Sequence, residues 1–279
     1  RVLRALGEGA LAVGIGVHFA ARGLDVSVLG MVLAAASLGG ALQSALLPAA
    51  CTRWERRRVL VALTCVSVLA GVGLVVSDDA LVLIVSALVS GLSGITGATT
   101  TGPTQALEQT LLAEATLERE RTRVYAYYRL ATTFAAALGA LLIGYAPHLF
   151  GAWSASPLSL SPTQLGLGAC LLFVLASALD YARLPDVLER RTSLAEPHEE
   201  PDPAPTPIPA NNADASTHRR TRLWLNALFG VDQLASAITT TSLLSYWLHE
   251  RFSLELTQVG HVMFATQLLG ALSMPLSIK

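Results

Sequence analysis

The chain has 279 residues, 52% of them apolar and 14% charged, with a mean hydropathy of +0.52. Adding its 22 glycines makes about 60% of it apolar or glycine, whereas soluble domains sit near 45–50% and carry about 25% charged residues. Disorder, a collagen-like repeat and a disulfide scaffold are excluded, a soluble globular domain fits poorly, and a net charge of −1 offers no basic field for nucleic acid. Cys51, Cys65 and Cys170 stand apart, with no C-x-x-C and no pairing pattern. Composition points to an all-α membrane protein, a polytopic helical bundle. Every basic residue except Lys279 is arginine. With so much alanine, that suggests a GC-rich bacterial genome and an inner-membrane location.

A hydrocarbon core of about 30 Å needs roughly 20 apolar residues as helix. Eight stretches qualify: 5–21, 28–50, 59–77, 80–102, 130–150, 164–182, 223–248 and 257–278. Their Gly, Ala, Ser and Thr content suits a tightly packed bundle, because small residues let helices approach in lipid. The uncharged run 80–107 would measure about 42 Å as helix, so its end is expected to leave the hydrocarbon. With the N-terminus inside, the cytoplasmic segments collect sixteen arginines, clustered at 1–4, 53–58, 119–129 and 183–222. Only Arg22 and Arg251 fall outside, an asymmetry that selects this orientation. Seven further spans argue against reading the first as a cleaved signal peptide.

Residues 185–220 change character. Seven prolines fall in 36 positions, alternating from Pro201 to Pro209 among acidic residues. Alternating proline supports neither helix nor sheet and favours an extended chain, either a solvated linker or a docking segment. It separates a six-helix unit at 1–184 from the start of a second at 221–279. An internal repeat agrees with this division. At an offset of 230, Leu24, Gly30, Val32, Ala35, Leu38, Gly40, Ala41 and Leu42 meet identical residues from Leu254 to Leu272, eight identities in twenty positions. Asp25 and Ser27 meet Glu255 and Thr257, the hydroxyl residues being natural helix N-caps. The matched segments open spans 2 and 8, giving a parallel six-plus-six repeat of the kind used by secondary transporters. Arg1 is not a start Met and Lys279 closes an apolar run, so the chain reads as about eight helices of a twelve-span parent. Alone, it is expected not to transport.

The loop between spans 2 and 3 runs Pro48-Ala49-Ala50-Cys51-Thr52-Arg53-Trp54-Glu55-Arg56-Arg57-Arg58-Val59-Leu60. It resembles the G-x-L-A-D-R-x-G-R-R-x-x-L signature of the major facilitator superfamily at Arg53, Arg56, Arg57 and Leu60. Both glycines are replaced, by Pro48 and Glu55, and the aspartate by Thr52. The resemblance implies a cytoplasmic charge-relay gate involving Arg53, Arg56 and Arg57; otherwise these arginines only anchor the loop. Gly102-Pro103 through Glu108-Gln109, then Arg121 through Arg129, resembles the exit of span 4 and the entry of span 5 in the same family. Ala87 and Gly139-Ala140 depart from the arginine and the G-P pair typical of its drug–proton antiporters.

An ionisable side chain at the centre of a membrane helix costs at least about 2.5–3.5 kcal/mol, so it needs a reason. Asp232 lies about 14 Å into its span, near the midplane, with Gln233 beside it. It is the leading candidate to bind a substrate cation or a proton; the alternative is a hydrogen bond to a neighbouring helix. Glu8 pairs by spacing with Arg4, Glu108 is expected at the interface, and His18 lies about 20 Å into span 1. Gln43 and Gln267 line a cavity or bond helix to helix. No metal cluster, acyl-transfer motif or nucleotide loop is present in the sequence, so neither enzyme chemistry nor a cofactor is expected. Gradient-driven transport of an unidentified small solute, coupled to protons or sodium, is the leading reading. A non-transporting sensor or scaffold of the same fold is the alternative. An intramembrane enzyme without recognisable motifs is a weaker third.

If Asp232 couples transport, Asp232→Asn in the full-length protein abolishes gradient-driven uptake while expression and folding stay near normal. Wild-type uptake with its ion dependence intact would instead assign Asp232 a structural hydrogen bond.

Overall fold

The computed structural model describes residues 1–90, 103–116, 120–151, 160–183 and 240–273, together with Trp224. Among the described residues every regular element is a helix. They are α1 (Val2–Ala21), α2 (Val26–Arg53), α3 (Arg56–Val76), α4 (Ala80–Ser90), α5 (Pro103–Ala115), α6 (Arg121–Gly144), α7 (Ala146–Phe150), α8 (Pro162–Ala182), α9 (Thr241–Phe252) and α10 (Leu256–Ser273). Five of these, α1, α2, α3, α6 and α8, are long and apolar enough to cross a membrane. Among the described residues these five account for five of the eight expected spans. The eleven-residue α4 covers the described part of 80–102, α9 covers Thr241 onward of 223–248, and the eighteen-residue α10 runs from Leu256 through the described part of 257–278. Most of 223–248 lies outside the described residues.

Large apolar side chains point outward from several helices. Leu69 is 74% exposed, Leu81 71% and Leu172 64%. Water would penalise such a surface and lipid does not, so a membrane environment resolves it.

Two boundaries differ from the sequence reading. Helix α2 runs 28 residues, about 42 Å, and carries Pro48 inside it, so Pro48 through Arg53 are helical rather than looped. Only Trp54 and Glu55 separate α2 from α3. Helix α6 begins at Arg121, nine residues before the apolar stretch, because its basic and aromatic first turns are compatible with helix outside hydrocarbon. There the Arg123 guanidinium lies 5.7 Å from the centre of the Tyr127 ring. The capping expectation is also corrected. Asp25, not Ser27, caps α2 by accepting from the Ser27 amide, and the Thr257 hydroxyl instead donates to the Gly144 carbonyl at 2.8 Å.

Helix α1 sits at the centre, packed against α6, α8 and α9, while α3 packs on α8 and α4, α2 on α4, and α10 on α6. Its small residues explain this place. A Cβ on Gly9 would overlap the Ala136 backbone of α6, and one on Gly139 of α6 would overlap the Leu6 carbonyl of α1. The two helices thus interlock through reciprocal glycines. In lipid, where hydrophobic burial does not drive helices together, such close contact supplies the attraction.

Helix register at this contact is therefore expected to be intolerant of a single methyl group. Gly139→Ala lowers the unfolding midpoint of the purified protein, with an overpacking cost of about 1–3 kcal/mol. Gly168→Ala, on a face of α8 where nothing lies within 4 Å of an added Cβ, leaves the midpoint unchanged or raises it.

Candidate functional site

Residues of α1, α3, α5, α6 and α8 meet, with Arg1, around a buried charged cluster. Its first member follows from helix geometry: Arg4 and Glu8 lie one turn apart on α1, and Arg4 Nε donates to Glu8 Oε1 at 2.7 Å. Each is only 2% exposed. Arg4 Nη1 also donates to the Thr64 hydroxyl of α3 at 3.0 Å, and that hydroxyl passes its own proton to the Leu60 carbonyl at 2.8 Å. Arg1 extends the cluster in the other direction. Its Nη2 lies 3.4 Å from Glu8 Oε2, and its Nε lies 3.1 Å from Glu108 Oε2 on α5. That Nε is close enough for charge pairing but not aligned to donate a hydrogen bond, and Nη1 has no partner among the described residues.

Glu108 closes the cluster. Tyr128 of α6 donates to its Oε2 at 2.7 Å, and Tyr181 of α8 donates to its Oε1. A further hydroxyl, that of Tyr125, donates to the Gln109 carbonyl at 2.7 Å. Two guanidinium groups thus face two carboxylates, and the side chains of four helices converge on Glu108 and Arg1. A cavity of about 280 Å³ opens beside them, bounded by Arg1, Leu60, Glu108, Leu111, Tyr128 and Tyr181. Buried charge survives in apolar surroundings only when paired and hydrogen-bonded, and here each charge has an opposite within reach.

The remaining sequence candidates are dispersed. His18 is buried and its Nε2–H donates to the Val75 carbonyl at 3.3 Å. Gln164 donates to the same carbonyl, and Arg22 to the Ser77 carbonyl while pairing with Asp78. Together they satisfy backbone groups at the end of α3, far along α1 from Glu8. Gln43 donates to the Val89 carbonyl at 2.8 Å, tying α2 to α4. Gln267, on α10, keeps a buried Oε1 with no partner among the described residues. Asp232 and Gln233 lie outside the described residues. In the short Trp54-Glu55 turn, Glu55 pairs with Arg58 at 3.0 Å and lies 3.9 Å from Arg57, so the residue replacing a family glycine supplies a local acceptor. Arg53 is exposed at the end of α2.

The structure brings Glu8 and Glu108 together and keeps the other described candidates away from them. Glu108 is buried by its protein neighbours. Sequence reasoning missed Tyr128, Tyr181 and Thr64. A tyrosine inside an apolar helix must find a partner for its hydroxyl, which was a signal, but the partner lies 73 residues away for Tyr181.

At the opposite end, α1 meets α9. The Ser242 hydroxyl donates to the Ala12 carbonyl at 2.7 Å, and a Cβ on Gly16 would overlap the Ser242 carbonyl. Ala12 and Ser242 are 230 residues apart, the same interval as the internal repeat. The sequence signature of the Major Facilitator Superfamily matches residues 1–279. The chain belongs to that superfamily. Multi-pass membrane proteins of this family are typically transporters rather than enzymes. An uncharacterized membrane protein of Saccharomyces cerevisiae, YJR124C, is 24% identical over 261 residues, covering 88% of this chain and 58% of its own. The chain thus spans a little over half that relative's length. No solved structure matches it.

The cluster stands as a linked set of charges. Glu8→Gln strands the fully buried Arg4 and is expected to lower stability by about 3–5 kcal/mol, read from thermal unfolding of the purified protein. Adding Arg4→Met to that variant recovers most of the loss.

Proposed function

We propose that this chain contributes a six-helix bundle (1–184), a cytoplasmic linker (185–220) and the start of a second bundle (221–279) to a secondary active transporter. It would move a small solute by alternating access, with the arginine-rich helix ends in the cytoplasm. The observation that carries this reading is the meeting of Ala12 and Ser242. Residues at equivalent places in a parallel repeat can touch only near the axis relating the two copies. Helices α1 and α9 therefore cross where two similar bodies would rock against each other. The contact includes the Ser242 hydrogen bond and the close approach at Gly16, with Leu243 and Tyr246 of α9 packed against the apolar core that α1 centres.

Two further features support transport. The charged cluster holds α1, α3, α5, α6 and α8 as one rigid unit, as rocking requires. The unpartnered Gln267 oxygen is the kind of buried group that a polar substrate satisfies. Coupling to protons or sodium fits the absence of a nucleotide motif from the sequence, and Asp232, from its position along the expected span, is the residue proposed to carry it.

The full-length protein in sealed vesicles tests the proposal. Solute flux that follows an imposed proton or sodium gradient is the expected result; binding without flux would favour a sensor or scaffold. Orientation is read separately. A thiol introduced as Leu149→Cys is expected to label from outside intact cells, and Arg58→Cys only after the membrane is opened.

A further inference from the structure

At the end of the bundle opposite the charged cluster, the start of α2 and the second half of α9 enclose a cavity of about 690 Å³. Small-molecule sites usually measure roughly 300–1,000 Å³. Leu243, Tyr246, Trp247 and Glu250 recur at helical spacing, so one face of α9 forms a continuous wall. Asp25 stands on the wall opposite, and Arg251 completes the lining beside Glu250. Two contacts hold these walls in place. The Tyr246 hydroxyl donates to the Leu24 carbonyl at 3.1 Å, tying α9 to the turn that precedes α2. The Trp247 ring meets Phe252 edge to face, with centroids 5.2 Å apart, which restrains its setting.

The internal repeat separates what the fold requires here from what it does not. Among the described residues two adopt left-handed backbone, Gly23 at φ 66° and Ser253 at φ 50°, and they are 230 positions apart. The repeat therefore holds in three dimensions at both turns, and positions on α9 can be compared with their counterparts on α1. Tyr246, Trp247, Glu250 and Arg251 stand where the first copy has Gly16, Val17, Ala20 and Ala21. Side chains that the shared fold needs are expected in both copies. This aromatic and charged lining occurs in one.

Charge and surface then select the ligand. Two carboxylates and one guanidinium leave the cavity acidic by one charge. Among the described residues neither Asp25 nor Glu250 makes an ion pair, and Asp25 Oδ1 accepts from the Ser27 amide at 3.3 Å. Nor do three metal-ligating side chains gather among the described residues, and apolar walls cannot replace a metal ion's hydration shell. An anion would meet both carboxylates. An ammonium with an apolar body suits the whole lining: the carboxylates neutralise it, an aromatic ring attracts it, and Leu243 covers the apolar part.

We propose that the cavity between α2 and α9 binds an organic ammonium with an apolar body, held by Asp25, Glu250 and the Trp247 ring. A lipid headgroup and a free organic cation share this chemistry. The site goes beyond the transport reading, and because binding is measured at equilibrium without a gradient, its failure is distinct from a failure of flux.

Isothermal titration of the purified full-length protein, in neutral maltoside micelles, uses benzyltrimethylammonium as the probe, with benzyl alcohol and benzoate as its neutral and anionic comparisons. Saturable binding of the cation is expected, about tenfold tighter than either comparison and weakened by salt. Asp25→Asn keeps an oxygen able to cap α2, and Glu250→Gln keeps the side chain's size. Each is expected to weaken binding about threefold to fivefold, with an unfolding midpoint near the parent's. Trp247→Leu is expected to weaken it about fivefold. Competition by dihexanoyl phosphatidylcholine would identify a lipid headgroup as the source of the ammonium, and its absence a free cation. No saturable binding, equal or tighter binding of benzyl alcohol or benzoate, or unchanged affinity when Asp25→Asn and Glu250→Gln are combined would overturn the proposal.

Discussion

Everything in this bundle depends on how closely α1 can be approached. Within lipid, apolar surface gains nothing by leaving its surroundings, so helices associate through close van der Waals contact and hydrogen bonds. Gly9 and Gly139 allow α1 and α6 to interlock, and Gly16 allows α9 to cross the same helix nearer its other end. Helix α1 is consequently the most enclosed of the five long apolar helices, with 83% of its apolar window buried. A helix in that position has no lipid-facing side on which to hide a charge.

The charged cluster follows from that enclosure. Arg4 and Glu8 cannot reach water, so they are compatible with the fold only as a pair, with Thr64 and Arg1 taking up the remaining bonding capacity. Because Arg1 also faces Glu108, the position of α5 is linked to that of α1. Tyr128 and Tyr181 extend the linkage to α6 and α8. The result is one end of the molecule joined by a buried charge cluster, and another joined by close glycine contacts, hydroxyl and imidazole hydrogen bonds and the partly exposed Arg22–Asp78 pair. Such an unequal distribution suits a protein in which one set of contacts persists while another opens.

Much of the organisation is legible along the chain, and the reason is that lipid imposes simple rules. Apolar runs of membrane length identify α1, α2, α3, α6 and α8. The i, i+4 spacing of Arg4 and Glu8 is enough to pair them. Glu108 is different. Its sequence neighbours suggest an interfacial residue, whereas its burial comes from Tyr128, Tyr181 and Arg1, each on a separate helix. Nor does local spacing show that Pro48 through Arg53 continue α2, since a proline can sit inside a long helix where neighbouring packing sustains the interrupted ladder.

The sequence by itself determined the class of the protein, its repeat and the candidate polar residues, because hydropathy, proline content and periodicity are properties of neighbours along the chain. Tertiary structure decided which of those residues meet. His18 became a support for the end of α3, Gln43 a tie between α2 and α4, and Glu108 the centre of a cluster. It also decided that residues 230 apart in the chain are in contact, where the repeat offset shows only that they are equivalent. Equivalence is recorded in residue identity, but contact depends on the distance between helix axes. That distance is set by side chains from several helices at once, so no single stretch of sequence contains it.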